Sequence, residues 1–383
     1  MALALYIHWP FCRSKCPYCD FNSHVRENFD SQQWGVGLRS DMRHETSVTC
    51  DEPLTSIFFG GGTPSLMPPE LVDSLLTEAE SLWGFAPGIE ITLEANPTSI
   101  EADNFAALAL AGINRVSLGI QSLEQQALHF LGREHSADEA LAALAIAQEH
   151  FDRVSFDLIY ARPGQSADAW FGELERALAL GTDHLSLYQL TIEPGTRFAT
   201  DVRRGAFTPL DDDSAADLFA ATRERMRAAG LPAYEVSNHA RPGQESAHNL
   251  TYWRYRDFAG IGPGAHGRRG GRATVRHRKP ENFLSAIARN GHGIAEECAL
   301  PLREQAEEAV LMGLRLDEGI DLDALAGRFG LSRDTLVSAR KLEQLAEQKL
   351  VEATEERISL TESGMLLLDR VVAELLVGAP ETV

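Results

Sequence analysis

Six short, mainly apolar runs punctuate the first half of the chain: Leu3 to Trp9, Thr55 to Phe59, Ile89 to Ala95, Arg115 to Ile120, Arg153 to Ile159 and His184 to Leu190. Their length and their alternation of apolar and polar positions predict strands. Between them, apolar residues recur at helical spacing over Phe29 to Thr46, Pro69 to Trp83, Ala102 to Leu110, Ala137 to Glu149 and Ala169 to Leu180. Strands alternating with helices predict βαβ units and a parallel sheet. Six units are too few to close an eight-stranded barrel. The expected class is α/β, built as an open partial (β/α)6 TIM-like barrel or a doubly wound sheet. Both place their chemistry at the C-terminal ends of the strands.

After about Glu193 the rhythm changes. A helix is expected from Asp213 to Ala229, followed by an irregular stretch from Tyr234 to Pro280 rich in Gly, His, Arg and aromatics. The end of the chain reads as Arg303 to Leu316, Asp321 to Phe329 and Thr335 to Gln348 as helices, then a hairpin of Leu350 to Ala353 with Arg357 to Leu360, then a helix from Thr361. That order predicts a small, mainly helical, winged-helix-like domain, whose plainest role is a stabilising cap. The expected division is 1–235 for the partial barrel, 236–301 for an extension and 302–383 for the helical domain.

The formal charge of −21, from 35 basic against 56 acidic residues, argues against broad nucleic-acid binding, which needs cations to neutralise phosphates. The first residues carry no basic region of a leader, and no run approaches the ~18 apolar residues of a membrane span. The longest candidate, Met365 to Val377, is broken by Asp369, Arg370 and Glu374. A reducing cytoplasm is therefore the expected compartment, where clustered cysteines serve metal or redox chemistry. Of five cysteines, Cys12, Cys16 and Cys19 form C-x3-C-x2-C directly after the first strand, while Cys50 and Cys298 are distant and have no assigned role. Three thiolates on one loop suit a soft metal. One alternative is a zinc site completed by His8 or His24. The other is a four-iron cluster with one iron left free to chelate a small molecule. Gly60-Gly61-Gly62-Thr63-Pro64 closes the second strand, where glycines let a ligand approach the backbone.

Together, the cysteine and glycine motifs resemble the radical S-adenosylmethionine (SAM) superfamily. The resemblance implies a [4Fe-4S] cluster on Cys12, Cys16 and Cys19, and SAM cradled by Gly61, Gly62 and Thr63. Leu5 to Cys12, Phe59 to Ser65, Leu93 to Pro97, Ser117 to Ser122, Leu131 to Arg133 and Phe156 to Tyr160 are similar to a narrower family, which holds the oxygen-independent coproporphyrinogen III oxidases and the haem chaperones. This likeness runs from Leu5 to at least Trp253, and the C-terminal domain also resembles that family's. It implies Glu94 on the amino or ribose groups of SAM, Arg133 on its carboxylate, Asp157 on the ribose hydroxyls, Gln121 as a polar contact, and Tyr6 and Tyr18 near the cluster or methionine. One segment departs: Ala161-Arg162-Pro163 stands where the family has Gly-Leu-Pro, adding a Cβ and a charge beside the expected SAM site.

Two features separate oxidase from carrier. The oxidases carry a further Cys two residues after the third ligand, where this chain has Phe21, and a longer segment before the cysteine loop. His248-Asn249-Leu250-Thr251-Tyr252-Trp253 resembles the H-N-x-x-Y-W motif of the chaperones, which implies His248, Asn249, Tyr252 and Trp253 as haem-binding residues. Residues 251–280 carry eight basic side chains against Asp257 alone, a natural partner for haem propionates, or else a solvated loop or a docking surface for an acidic partner or anionic lipid. The expected function is a chaperone that binds haem and passes it to an acceptor protein, with exchangeable SAM on its cluster. The alternative is a radical SAM enzyme acting on coproporphyrinogen III. The second axial ligand, a homodimer and peripheral membrane docking all stay open.

Overall fold

The computed structural model describes residues 3–26, 28–49 and 52–376; Cys50 and the last seven residues fall outside them. Strands β1 (Leu3–Trp9), β2 (Leu54–Gly61), β3 (Phe85–Ala95), β4 (Arg115–Gln121), β5 (Arg153–Tyr160) and β6 (His184–Gln189) lie side by side in chain order, all parallel. These are the six strands expected from the pattern. Beyond them, β7 (Asn238–Ala240) pairs antiparallel with β6. On the other side, β8 (Phe258–Ile261) joins β1 as a seventh parallel strand, with Leu5 opposite Ala259. Strands β9 (His266–Arg269), β10 (Arg272–Arg276) and β11 (Ile294–Ala299) continue antiparallel to the edge. Much of the stretch that reads as irregular is therefore sheet. Gly260 in β8 explains the misreading: a Cβ there would run into the His266 carbonyl of the returning strand, so the position must lack a side chain.

Alternation divides the sheet into two faces. Leu5, Ile7, Trp9, Ile57, Phe59, Leu93, Val116, Leu118, Phe156 and Leu158 are buried in the main apolar core, which includes residues of the flanking helices such as Leu38, Leu75 and Leu144. The opposite face carries Tyr6, His8, Ser56, Glu94, Ser117, Asp157 and Ser186. Fully covered parallel sheets are ordinarily apolar on both faces, so the polar inner face of this partial barrel marks a site. A second apolar cluster gathers residues between Ala306 and Leu375, joined by Phe219 and Tyr255. It surrounds a small antiparallel sheet of Ile320–Asp321, Arg357–Leu360 and Val351–Ala353. The expected helix from Thr335 to Gln348 is two pieces, Arg333–Leu336 and Ala339–Glu347, because Ser338 caps the second by accepting from Lys341 N–H. Among the described residues, no helix is long and apolar enough to cross a membrane.

Candidate cluster and cofactor site

The cysteine loop begins where β1 ends. Trp9 and Phe11 are wholly buried among Phe29 and Trp34, with Trp9–Phe11 centroids 5.2 Å apart and Phe11 stacked on Phe29 at 5.5 Å. The short pairing of Phe11–Cys12 with His24–Val25 closes the loop at its base. Packing thus fixes both ends and leaves Cys12, Cys16 and Cys19 only partly covered. Each sulfur has a polar neighbour: Thr63 Oγ1 donates to Cys12 Sγ at 3.4 Å, Arg133 Nη1 donates to Cys16 Sγ at 3.4 Å, and Ser23 Oγ lies 3.9 Å from Cys19 Sγ. Burial pushes the Cys12 and Cys19 thiols above their ordinary range, so stable thiolates there call for a nearby positive charge. Both ring nitrogens of His8 already have internal partners, Tyr6 Oη at 3.1 Å and the Asn22 carbonyl at 2.9 Å. Among the described residues, no three His, Cys, Asp or Glu side chains come together for a single metal ion.

The glycines bring the end of β2 against this loop. Gly62 N–H donates to the Trp9 carbonyl at 2.7 Å, and Thr63 N–H to the Phe11 carbonyl at 2.8 Å. A Cβ on Gly62 would sit 2.6 Å from the Phe11 oxygen, which no side chain tolerates. Gly61, at φ +112°, donates its N–H to Glu94 Oε2 at 3.3 Å. Burial, then repulsion from Asp157, pushes the Glu94 carboxyl up to about 8. Burial pushes Asp157 up to about 6, against the lowering by Ser186 and Ser117 hydroxyls. Gln121 ends β4 at φ +71°, a left-handed conformation that non-glycine residues adopt at a cost. Arg133 donates from Nη2 to Asn96 Oδ1 at 2.6 Å and to the Gly119 carbonyl at 2.8 Å, but its buried Nε has no partner.

These residues line one open pocket enclosing about 1030 Å³. The structure therefore brings together Cys12, Cys16, Cys19, Tyr18, Gly61, Gly62, Thr63, Glu94, Gln121, Arg133 and Asp157. Tyr6 sits beneath it, bonded to His8. Asn96 belongs to the site without having been singled out: it receives Arg133 and donates to Thr63 Oγ1 at 3.2 Å, joining two strand ends. Its place in the Leu93 to Pro97 segment was the available signal.

The H-N-x-x-Y-W residues lie elsewhere. The helix Ala247–Trp253 packs against the inner face of β2, away from the cysteine loop. Glu90, in the middle of β3, accepts N–H bonds from Ala247 and His248, both at 3.1 Å. Burial alone would raise the Glu90 carboxyl, but Arg115, Arg153 and those N–H groups hold it below its ordinary range. His248 is 1% exposed, with Nδ1 on Ser56 Oγ at 3.0 Å and Nε2 on Tyr252 Oη at 2.6 Å. Burial lowers its pKa to about 3, so the ring is neutral. Asn249 donates to Tyr234 Oη at 3.4 Å. Trp253 lines a different cavity of about 590 Å³, together with Tyr255, Arg328 and residues of the C-terminal unit.

Comparison with known proteins now places the chain. The Radical SAM superfamily model matches residues 6–176, and the HemN C-terminal domain matches residues 300–367. A protein of Mus musculus named radical S-adenosyl methionine domain-containing protein 1, mitochondrial, is 38% identical over 97% of this chain and 87% of its own length. Proteins named heme chaperone HemW are also similar: that of Escherichia coli is 36% identical over 96% of each chain, and that of Bacillus subtilis 33% identical over 97% of this chain and 98% of its own. The chain belongs to the radical SAM superfamily, among the HemW-like proteins. The solved structure of Escherichia coli HemN, a coproporphyrinogen III oxidase, shares the fold, with a TM-score of 0.83 over 97% of this chain and 89% of that one at 22% identity.

Against the HemW-like pattern, the Ala161-Arg162-Pro163 departure has a local resolution. Ala161 adopts φ +55°, the conformation glycine takes without strain. Arg162 is buried, and its charge is met inside: Nη2 lies 2.5 Å from Glu173 Oε2, and Nη1 donates to Ser122 Oγ at 2.8 Å and the Ile159 carbonyl at 3.1 Å. Glu173 also accepts from Leu123 N–H at 2.8 Å. The substituted loop is thereby tied to the turn that follows Gln121. Part of the basic stretch of this HemW-like chain is likewise paired internally, with Arg268, Arg269 and Arg276 buried. Arg276 is fully buried against Asp41 and Glu45, Arg269 meets Glu45 and Glu297, Arg272 meets Glu297, and Arg254 meets Glu318. Half of the eight basic side chains of this stretch are therefore spent in ion pairs, and Arg269 and Arg276 use theirs to join β9 and β10 to the helix Ser31–Thr46.

Proposed function

We propose that the chain is a cytoplasmic haem chaperone that carries a [4Fe-4S] cluster on Cys12, Cys16 and Cys19, holds exchangeable SAM in the adjoining pocket, and passes haem to an acceptor protein. One observation carries the reading: the pocket gathers the three cysteines with Glu94, Arg133 and Asp157, while exposed Phe21 occupies the position where oxidases place another cysteine. The relatives named heme chaperone support it over nearly the whole length.

The residues present fit these groups. Three thiols with polar neighbours suit a cluster whose charge favours the thiolate form. The orphaned Nε of Arg133 offers a donor to a carboxylate. Glu94 and Asp157 are buried acceptors whose carboxyls burial holds high, and an amino group and ribose hydroxyls would donate to them. When bound, such a cluster together with SAM would supply one-electron chemistry at that end of the pocket. The chain's own part is to orient: the missing Cβ of Gly62 lets the loop close, Asn96 holds Thr63 and Arg133 together, and Glu94 releases its proton when a cation arrives. In this arrangement His248 is closed off, so haem ligation by His248, with Asn249, Tyr252 and Trp253 alongside, requires Ala247–Trp253 to swing out and break the Ser56 bond, and ligation through Nε2 requires the Tyr252 bond within the helix to open as well.

A paired anaerobic assay on one reconstituted sample tests the proposal. The expected result is a haem Soret band on titration and no conversion of coproporphyrinogen III. Absence of haem binding overturns the chaperone reading, and formation of protoporphyrinogen IX replaces it with the oxidase.

A further inference from the structure

Resting on the haem-chaperone reading, we infer that haem docks on the open rim of the cluster pocket, with Phe21 as platform for the ring and Arg13, Lys15 and Arg278 as partners for the propionates. Phe21 is 62% exposed, unusual for a residue type that ordinarily buries its ring. The backbone that presents it is braced. Its carbonyl accepts from Ser23 N–H at 2.7 Å. The next residue, Asn22, donates to the Pro263 and Arg278 carbonyls, each at 2.9 Å, and accepts from His8 Nε2 at 2.9 Å. An exposed aromatic ring on a fixed backbone is a preorganised contact, and such contacts cost little ordering on binding.

The charges beside it are free. Arg13 and Lys15 are exposed and line the same pocket as Phe21. Arg278 is exposed, and the Asn22 bond draws its backbone to this rim. Among the described residues, none of the three pairs with a carboxylate, whereas Arg254, Arg269, Arg272 and Arg276 all do. The field at the rim is felt by His24, whose pKa is lowered first by burial and then by Arg26, Lys15 and Arg278. In a chain of net charge −21, unpaired cations around an exposed ring select a ligand that is flat and apolar at its centre and anionic at its edge. Haem has that form. The contact reads ring and propionates, so it does not need the iron.

The test titrates the reconstituted full chain, its Phe21→Ser variant and its Arg13→Ala/Lys15→Ala variant with haem, following the Soret band. Iron, sulfide and the reduced-cluster spectrum check that the cluster is retained. Each variant is expected to bind about tenfold more weakly or worse, and iron-free protoporphyrin IX to compete with haem on the parent. If the parent binds no haem, the chaperone reading itself fails. If the parent binds haem and both variants bind it equally well with intact clusters, the rim is not the docking face and the chaperone reading stands. If protoporphyrin IX does not compete, ligation through the iron dominates and the platform is overturned. If the parent converts coproporphyrinogen III, haem is displaced as the occupant.

Discussion

At Glu94, function and stability pull in opposite directions. Its carboxyl is raised from an ordinary 4.5 to about 8 in the folded chain. Between those values the unfolded chain has lost the proton and the folded chain keeps it, so stability falls as pH rises through that window and the loss is complete above about 8. Glu94→Gln is expected to melt about 2–4 °C higher than the parent at pH 8, to match it near pH 4, and to lose SAM affinity. Differential scanning fluorimetry across pH, paired with SAM titration, checks this. A melting difference independent of pH would show that Glu94 ionises normally. Ala161 is a second residue with a signed expectation. An alanine at φ +55° is strained by about 1–2 kcal/mol, and glycine offsets part of the gain by freeing the unfolded chain. Ala161→Gly should therefore leave the melting temperature unchanged or raise it, where Ala→Gly in ordinary backbone lowers it. The sequence identified this position as a departure, since the missing glycine breaks a local pattern. It could not show that Glu173, eleven residues on, neutralises the arginine that follows.

Elements were legible where one period dominated. The six strands and the helix Pro69–Trp83 follow from alternation and helical spacing. Strand β8 did not, because Gly260 and Gly262 dilute its apolar signal and its partner, β1, lies at the far end of the sequence. The Ala247–Trp253 helix reads as a ligand motif from its residue types, and the sequence contains no sign that Glu90 caps it inside the barrel. That cap turns His248 into a packed group, so His248→Ala is expected to strand Ser56 and Tyr252 and to destabilise the fold by about 1–3 kcal/mol. Chemical denaturation measures it, and an unchanged midpoint would mean the helix is already open in solution. Loss of haem binding in that variant is interpretable only beside this number. The Arg162–Glu173 pair joins the turns after β4 and β5 in the same way. Arg162→Leu leaves a buried carboxylate unpaired and should cost about 3–5 kcal/mol. Adding Glu173→Gln should recover part of it, because the amide oxygen still accepts from Leu123. No recovery in the double variant would mean that packing, rather than charge, sets the cost.

For the molecule as a whole, the barrel is filled on one side by Ala247–Trp253 and open where the strands deliver Glu94, Gln121 and the cysteine loop. The extension is fastened by charge: Asp41 receives N–H bonds from Gly262 at 3.2 Å and Gly293 at 3.0 Å as well as Arg276, so one carboxylate ties β8, β10 and the helix Ser31–Thr46 together. A window of net charge cannot reveal this, because the two acids that meet Arg276, Asp41 and Glu45, sit more than two hundred residues earlier in the chain. The cysteine loop follows the opposite logic. Small metal domains fold only on binding their ion, but here Trp9, Phe11, Phe29 and Trp34 pack both ends of the loop through their own ring contacts. Removing the cluster, by chelation or by replacing Cys12, Cys16 and Cys19 with alanine, should therefore leave the far-UV circular dichroism unchanged and lower the melting temperature by only a few degrees. Limited proteolysis should then cut within residues 13–22, between the packed ends, and nowhere new in the barrel. A collapse of secondary structure on cluster removal would mean that the metal organises the barrel itself, and the aromatic anchor would lose its role.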